Sequence, residues 1–523
     1  MTLHAQIQRA DAGTRVRKGG RQARRSSGAV SGLARPVAGR FARRIPSFDL
    51  MDETALRTIE DQADWILEKV GVEFRRDAIA LDLFRNAGAR VDGARVRFEP
   101  GLARSLCASA PARFELRARD PRNSVVLGGN HVVLMPGYGS PFVTDLDRGR
   151  RYASLEDFRN FVKLTAMTPF LHHSGGTVCE PVDVPVNKRH LDMVYAHLRY
   201  SSKPFMGAVT APSRARDSIA MARLVFGDDV VDAHAVMQAN INVNSPLVFD
   251  ETMSAALRIY AEANQCVCVS PAVVTGAMGP VFPAAIVAQT LAEGMVGIAL
   301  TQLVRPGCPA VLGSFHASMN LRTGALAFGM PEANLATMAL SQVGRRLGVP
   351  VRSGGGQVTA ANAPDGQAMQ DSANAMWATI LSGAHQVWHA CGWLEGGLTM
   401  SYEKFVMDLD NCGAMLRLLV GMDVNEETLA RQAYGEAGPG ETFLSTAHTL
   451  RHCATAGYES LLPDAGPYET WRDRGSPSAA ERANRCWKAM LAAYREPPID
   501  PDTDEELRRF IADRKAAMPD EWY

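Results

Sequence analysis

The sequence predicts an α/β protein, a (β/α)8 TIM barrel with an N-terminal flanking layer and a C-terminal helical extension. From about residue 131, short β-prone runs recur at intervals of roughly 30–43 residues, and most gaps between them hold one strong helical segment. An open doubly wound sheet would show a phosphate-binding loop such as GxGxxG after its first strand, and neither that loop nor a Walker loop occurs. The eight runs begin near residues 132, 171, 205, 236, 266, 309, 350 and 385.

Residues 1–45 are strongly basic and precede the predicted domain. They contain eleven Lys and Arg against one acid, Asp11, in a Gly- and Ser-rich context, so we expect a disordered basic tail. The tail lacks an apolar h-region, which excludes a secretory signal and leaves a transit peptide open. The whole chain has a formal net charge of zero. We expect neither a nucleic-acid partner nor a membrane partner.

Residues 46–130 are predicted to form the N-terminal flanking region, residues 131–430 the barrel and residues 431–523 the extension. The flanking region begins with a helix over 51–70, which Asp52 is placed to cap. Short strands are expected at 95–98 and 124–127. The apolar run at 283–303 is interrupted by polar residues and predicts a buried helix. The barrel helices are expected at 214–225, 251–263, 283–303, 331–347 and 366–381.

The nine cysteines are scattered, odd in number and without a CxxC pair. This usage is typical of free thiols in a reducing cytoplasm, so we expect a cytoplasmic protein. Cys266 with Cys268, and His389 with Cys391, have a spacing that places both members on one face of a strand. Structural zinc generally uses CxxC-type pairs. The sequence therefore predicts no metal site, with a zinc-dependent enzyme as an alternative.

Polar residues collect where the predicted strands end, which in a barrel is the active-site face. The run NINVNSP puts Asn240, Asn242 and Asn244 on one face of a strand, where their amides need partners that a polar ligand would supply. Backbone hydrogen bonds at the strand end are the alternative. The glycine run at 354–356 would let backbone approach a ligand. Gly355 in this run is a candidate for substrate binding. The residues expected around one cavity are His172, Asn240, Asn242, Ser270, Ser314, His316, His389 and Glu395.

The segment from His385 to Lys404, HQVWHACGWLEGGLTMSYEK, combines a strand with a glycine-rich turn. Two aromatics, Trp393 and Tyr402, stand near the carboxylate Glu395 and the imidazole His389. An aromatic face attracts a cation by about 0.5–2 kcal/mol. These residue types suit a pocket for a small organic cation, and ordinary core aromatics are the alternative.

Four motifs occur in order and resemble the trimethylamine methyltransferase family, including its glycine-betaine branch. They are SPAVVTGAMGPV (270–281), GSFHASMNLRTGALAFGMPEANL (313–335), RSGGGQVTAANAPDGQAMQDS (352–372) and GWLEGGLTMSYEKFVMD (392–408). The resemblance covers residues 46–430 and implies a barrel that passes a methyl group to the Co(I) corrinoid of a separate protein. The trimethylamine enzymes carry a pyrrolysine within the segment matching 357–365. This chain has only standard residues there, with Asn362 at or near the position.

The resemblance therefore implies a quaternary amine such as glycine betaine as the substrate. A quaternary ammonium already has a neutral amine as its leaving group and needs no general acid. Trp393 and Tyr402 are expected to receive the ammonium, with His389, Glu395 and Asn362 as catalytic candidates. The implied cofactor is a corrinoid on a partner protein, with no tightly bound cofactor of the chain's own. A non-catalytic amine-binding barrel and a zinc-dependent methyltransferase are the alternatives, and a homo-oligomer is left open.

Overall fold

Seven parallel strands form the central sheet of the computed structural model, which describes residues 40–522. Each strand hydrogen-bonds its neighbours in the order β1-β7-β6-β5-β4-β3-β2. The order follows the chain around a ring because each strand is joined to the next by a helix. The strands are β1 (Val133–Leu134), β2 (Phe205–Met206), β3 (Met237–Val243), β4 (Cys266–Val274), β5 (Ala310–Met319), β6 (Val351–Ser353) and β7 (Gln386–Val387).

The eighth position of the ring is filled by residues 171–175, which do not form a regular strand. His172 N–H donates to the Leu134 carbonyl of β1 at 2.9 Å, and Met206 N–H of β2 donates to the Gly175 carbonyl at 2.9 Å. The Leu134 N–H donates to the His172 side chain at Nδ1 (3.1 Å), which replaces a ladder bond. The predicted (β/α)8 barrel is confirmed, with one irregular member.

Within residues 40–522, eight helices surround the barrel. Pro283 and Pro331 each occupy the first helical turn, where a missing N–H is tolerated. The expected helices are present, with bounds that differ by one or two residues. The helices are α1 (Leu155–Met167), α2 (Arg189–Tyr200), α3 (Pro212–Phe226), α4 (Glu251–Glu262), α5 (Pro283–Val304), α6 (Pro331–Leu347), α7 (Gly366–Leu381) and α8 (Tyr402–Leu419), with a short helix Asp228–Ala233 after α3.

Helix α5 is long and apolar enough to cross a membrane, yet it lies in the core of the protein, as the sequence predicts. Its glycines permit close packing on the strands. A Cβ on Gly294 would lie 2.1 Å from Leu312, and one on Gly297 would lie 2.5 Å from Val269. Helix α5 therefore packs directly on strands β4 and β5.

The N-terminal flanking region covers the outer face of α5. Asp52 accepts a hydrogen bond from Ala55 N–H at 2.8 Å and caps helix Glu53–Trp65, which continues as a π-helical turn, Ile66–Val70.

Residues 40–45, which the sequence assigns to the tail, lie against the barrel because Phe41 is apolar and buried. The rest of the tail lies outside the described residues. The remaining elements here are strands Val72–Phe74, Arg90–Asp92 and Arg95–Arg97 and helices Ala78–Asn86 and Leu102–Cys107.

A hairpin from the flanking region closes the N-terminal end of the barrel. Its strands, Phe114–Leu116 and Val125–Leu127, are followed along the chain by β1. Leu116 and Leu127 are fully buried in one apolar cluster with the lumen residues Cys266, Val311 and Trp388. The lumen is thereby filled at this end. Short strands Phe142–Thr144, Arg151–Tyr152, Val248–Phe249, Leu326–Ala327, Trp393–Leu394 and Thr399–Ser401 lie around the barrel.

The C-terminal extension returns to the barrel. Trp487 Nε1 of helix Ala479–Ala493 donates to Glu403 of α8 at 3.0 Å, and Arg514 of helix Pro501–Ala516 pairs with Asp217 of α3 at 2.8 Å. Between α8 and these helices lie only short elements. They are helices Glu426–Leu429, Arg431–Glu436, Ala447–His452 and Tyr468–Asp473.

Candidate functional site

The interior of the barrel is polar on the inward face of β3. Gln238 exchanges two side-chain hydrogen bonds, of 3.1 and 2.8 Å, with Gln386 of β7. Because β3 and β7 are not neighbours, these bonds must cross the lumen. Asn240 and Asn242 share that face by period two, and Asn240 Nδ2 donates to Asn242 Oδ1 at 3.3 Å. The structure thus brings both predicted asparagines to the C-terminal half of the lumen.

Ser270 joins this group from β4. It lies opposite Asn242 in the parallel register, and its Oγ is 3.3 Å from Cys268 Sγ on the same face. Gly313 of β5 comes close to both, since a Cβ there would lie 2.6 Å from Ser270 Oγ. Gly313 is therefore on the lumen face of β5, and Ser270 is buried beside it.

Ser314 and His316 lie on the opposite face of β5, towards the helices. Leu312 packs on Gly294 of α5, and His316 Nε2 is 3.2 Å from Thr290 Oγ1 on the same helix. Ser314, which lies between them at period two, shares that face. Burial lowers the pKa of His316 to about 4, so the ring is neutral at pH 7. The structure therefore does not bring these two side chains to the lumen.

Gly355 and His172 also contact structure outside the lumen. The Gly355 carbonyl accepts a hydrogen bond from Thr379 Oγ1 of α7 at 2.7 Å. The His172 ring stacks on Phe41 with a centroid distance of 6.3 Å, and burial lowers its pKa to about 3. Both residues therefore belong to the wall of the barrel, where they contribute packing and backbone hydrogen bonds.

An aromatic cluster lies at the C-terminal mouth. His389 has a left-handed backbone conformation, with φ of 56°, which is uncommon for a residue with a side chain. Its ring meets Trp393 edge-on at a centroid distance of 3.7 Å, and Trp393 stacks on Phe315 at 5.4 Å. Phe328 is 6.0 Å from Phe315. Burial lowers the pKa of His389 far below its usual value, so its ring is a neutral part of an apolar wall.

Glu395 and Asn362 lie at the rim of this mouth. The Glu395 carboxylate accepts hydrogen bonds from Arg150 Nε at 3.0 and 2.9 Å, so its charge is already matched. Its backbone N–H donates to the Ala361 carbonyl at 2.9 Å, which places the exposed Asn362 next to it. Glu395 thus forms an ion pair with Arg150 at the rim of the mouth.

Tyr402 lies away from this cluster, at the start of α8. Its hydroxyl donates to Asp157 at 2.9 Å, and its ring stacks on Phe161 with a centroid distance of 4.4 Å and packs on Trp487. The tyrosine is fully buried. The structure gives it a packing role between α8 and α1.

Arg352 and Tyr138 are lumen residues that the sequence interpretation did not select. Val351 and Ser353 contact the helices, at Gly344 and Thr379, so Arg352 between them points inward. Its guanidinium lies 3.9 Å from the centroid of the Trp388 ring, and Nη1 donates to the Ser314 carbonyl at 2.9 Å. An arginine inside a short, buried strand was the available sequence signal, because such a position is usually apolar.

Arg352 is 4% exposed and forms no ion pair with any residue between 40 and 522. Burial lowers its pKa to about 10, which leaves it charged at neutral pH. Buried polar groups normally have hydrogen-bond partners. Several buried polar atoms of the lumen and its mouth have no hydrogen-bond partner within the described part of the chain. They are Arg352 Nε, Asn240 Oδ1, Trp388 Nε1, His389 Nδ1 and Trp393 Nε1.

A buried ion pair holds the two loops that carry the site. Lys404 Nζ contacts both Asp408 oxygens, at 2.7 and 2.6 Å, and donates to the Gln357 carbonyl at 3.1 Å. Asp408 in turn accepts from Gly392 N–H at 2.8 Å. Gln357 starts the 357–365 loop and Gly392 precedes Trp393. The pair therefore fixes both loops to α8.

The cysteines considered for zinc lie in the interior without a set of ligands. Among the described residues, one group of three His, Cys, Asp or Glu side chains brings its donor atoms within 4.8 Å, and it is Glu427, His448 and His452. It contains none of Cys266, Cys268, His389 and Cys391. The zinc-dependent alternative thus gains no support from the geometry of the mouth.

Comparison with known proteins bears on this site. The family model described as "Trimethylamine methyltransferase (MTTB)" matches residues 17–519. The chain is 38% identical to a glycine betaine methyltransferase of Desulfitobacterium hafniense over 91% of this chain and 99% of the relative. It is 28% identical to a proline betaine:corrinoid methyltransferase of Eubacterium limosum, over 88% and 95%. A trimethylamine methyltransferase of Desulfitobacterium hafniense is 25% identical, over 90% and 95%.

Among solved structures, the monomethylamine methyltransferase of Methanosarcina barkeri is similar with a TM-score of 0.47 and 10% identity, over 89% of this chain and 96% of that one. The family match spans nearly the whole chain, and the betaine relative is matched over almost all of its length. The resemblance seen in the four sequence motifs is thereby confirmed. The chain belongs to the trimethylamine methyltransferase family and is a methyltransferase enzyme.

Proposed function

We propose that the protein acts in the cytoplasm and transfers a methyl group from a quaternary amine that carries a carboxylate, with glycine betaine as the reference substrate, to the Co(I) corrinoid of a separate protein. Relatives named for glycine betaine, proline betaine and carnitine support this substrate class. The single observation that carries the proposal is the unpaired Arg352 in the lumen.

A buried cation without a carboxylate partner is costly, by several kcal/mol even after relaxation. A substrate carboxylate that binds Arg352 would offset this cost, because guanidinium and carboxylate match in geometry and form charge-assisted hydrogen bonds. Asn240 and Tyr138 supply further polar atoms to this part of the lumen, and the Tyr138 ring lies beside Trp388 at a centroid distance of 5.7 Å. The lumen thus has the chemistry of a carboxylate site.

The ammonium would then lie nearer the mouth, against aromatic faces. Tyr138 and Phe315 are the half-buried rings of this wall, and Trp393 supports Phe315 from behind. Cation–π attraction to such rings exceeds about 1 kcal/mol only where water is displaced. Because Arg150 already neutralises Glu395, we assign ammonium binding to the rings rather than to that carboxylate.

The chain's own residues bind the zwitterion, exclude water and orient one methyl group towards the mouth. The partner's Co(I) corrinoid supplies the nucleophile that accepts this methyl group. The open rim at Asn242 and Asn362, both exposed, fits access by a second protein. The leaving group is a neutral tertiary amine, so the neutral His389 need not donate a proton.

The test is an assay of purified protein with free Co(I) cobalamin, followed at the cobalt absorbance, with glycine betaine, choline and trimethylamine as substrates. Choline keeps the trimethylammonium group and replaces the carboxylate with an alcohol. We expect glycine betaine to react, and trimethylamine to be inert. Binding without cobalt methylation, under conditions where a known betaine enzyme is active, would favour the non-catalytic alternative.

Arg352→Gln should lower kcat/KM for glycine betaine by about 10- to 100-fold, the size of losing one hydrogen bond to a charged group. The exposed Arg509→Gln is the matched control and should have no effect. A wild type that uses choline as well as betaine, or an Arg352→Gln variant that folds and keeps its betaine preference, would refute the carboxylate assignment.

A further inference from the structure

The C-terminal extension carries a cluster of metal-ligating side chains outside the barrel. His448 and His452 are four residues apart on helix Ala447–His452, so they share one face, and their ring centroids are 4.7 Å apart. Glu427, on helix Glu426–Leu429, lies opposite, with His452 Nε2 at 2.5 Å from its Oε1. The three donor atoms lie within 4.8 Å of one another.

We propose that Glu427, His448 and His452 bind a divalent first-row transition ion such as Zn²⁺. Zinc takes imidazole nitrogen and carboxylate oxygen at about 2.0–2.2 Å, commonly in a tetrahedral arrangement with water in an open position. The ion would take the place of the direct contact between His452 and Glu427. Glu427 is 57% exposed and His452 35%, so an ion and its water ligand have access.

Two groups compete with an ion for this site. His448 Nε2 lies 2.8 Å from the Glu427 carbonyl oxygen, a contact that an ion bound through that nitrogen would have to replace. The other group is the guanidinium of Arg451. Its Nη2 lies 3.2 Å from Glu427 Oε1 and competes with a cation for that oxygen. The same arrangement without an ion is a surface ion-pair network, which contributes little to stability. The two interpretations therefore predict different effects of removing Arg451. In an ion-pair network the removal weakens the cluster, whereas in a metal site it removes a positive charge that repels the metal.

The extension has a structural use for such an ion. Large apolar side chains around it are exposed, including Met422 at 82% and Leu444 at 77%, so burial gives these short helices little support. Glu427 and His452 are 25 positions apart in the chain. An ion joining them would close that loop and stabilise the fold by binding the folded form preferentially. The site is separate from the residues assigned to methyl transfer.

The test uses full-length, tag-free protein stripped with a chelator and dialysed. Titration with Zn²⁺ by calorimetry should show one strong site per chain, and Zn²⁺ should raise the melting temperature. Co²⁺ in its place should give the visible absorption band of a tetrahedral nitrogen–oxygen site. His448→Ala and His452→Ala should each weaken Zn²⁺ binding at least tenfold, and the double variant should lose the Co²⁺ band.

Two controls separate this site from adventitious binding. His234→Ala removes a half-exposed histidine elsewhere and should leave the titration unchanged. Arg451→Ala should keep or tighten Zn²⁺ binding. Absence of Zn²⁺ binding in the wild type, unchanged binding in the double histidine variant, or weaker binding in Arg451→Ala would overturn the proposal. None of these readouts depends on the methyl-transfer assay.

Discussion

Replacing Lys404 with Met should destabilise the protein strongly, by about 3–5 kcal/mol, because it leaves one member of a buried ion pair without its partner. Lys404 and Asp408 are both 0% exposed. The ammonium also holds the Gln357 carbonyl and the Ser372 hydroxyl, the latter at 2.9 Å. Methionine fills much of the same volume but satisfies none of these groups.

The loss should depend on pH, with a sign that follows from Asp408. Burial raises the pKa of Asp408 to about 6 even beside Lys404, whose charge opposes that shift. Without Lys404 the pKa should rise further. A carboxyl group with a raised pKa contributes stability below its ordinary pKa, and this contribution is lost as pH rises through the folded value. Lys404→Met should therefore be less destabilised at pH 5.5 than at pH 8.

The assay is urea unfolding followed by tryptophan fluorescence at both pH values, with a double variant as the control. In Lys404→Met with Asp408→Asn the stranded charge is gone, and the Asn carbonyl can still accept from Gly392 N–H. This double variant should recover most of the lost stability and show little dependence on pH. Equal destabilisation of the single and double variants, or an equal loss at both pH values, would refute the reasoning.

Three further predictions follow from local contacts. Deleting residues 1–39 should leave the melting temperature unchanged, whereas deleting residues 1–45 should lower it, since Phe41 and Arg43 pack on the barrel; equal melting temperatures would contradict this. Gly356→Ala should prevent folding, because its Cβ would lie 2.2 Å from the Trp388 carbonyl, while Gly435→Ala, with open space around it, should be tolerated in the same solubility and melting assay. Phe315→Ala should weaken betaine binding in calorimetry by roughly 3- to 30-fold. Tyr402→Phe should cost about 1 kcal/mol of stability and leave the affinity for betaine unchanged. If Tyr402→Phe weakened binding and Phe315→Ala did not, the ammonium would have to be assigned to Tyr402 instead.

The repeating strands and helices were predictable because a barrel needs the same alternation eight times. The residues near 171 were harder, since a side chain, His172, replaces part of the ladder. The structure brings Asn240, Asn242 and Ser270 to the lumen face that a period of two assigns them. Ser314 and His316 do not lie there, because they follow the lumen residue Gly313 by one and three positions, both odd, and so lie on the opposite face of the strand. A glycine gives no sign in the sequence of which face it occupies.

The remaining differences depend on tertiary contacts that no local pattern contains. Glu395 pairs with Arg150, which lies 245 residues away in the chain. Tyr402 bonds Asp157 across a similar separation. Arg352 was not predicted as a site residue. Its role follows from the absence of a carboxylate partner within residues 40–522, which only the folded structure reveals.

The hairpin that fills the N-terminal end of the lumen has a kinetic consequence under the proposed function. With that end occupied by Leu116 and Leu127, the amine and the cobalt must approach through the same C-terminal opening. The amine must then enter first, and the demethylated product can leave only after the corrinoid protein has withdrawn. Steady-state measurements should show a compulsory order of addition, with excess corrinoid protein acting as an inhibitor that is competitive with the amine.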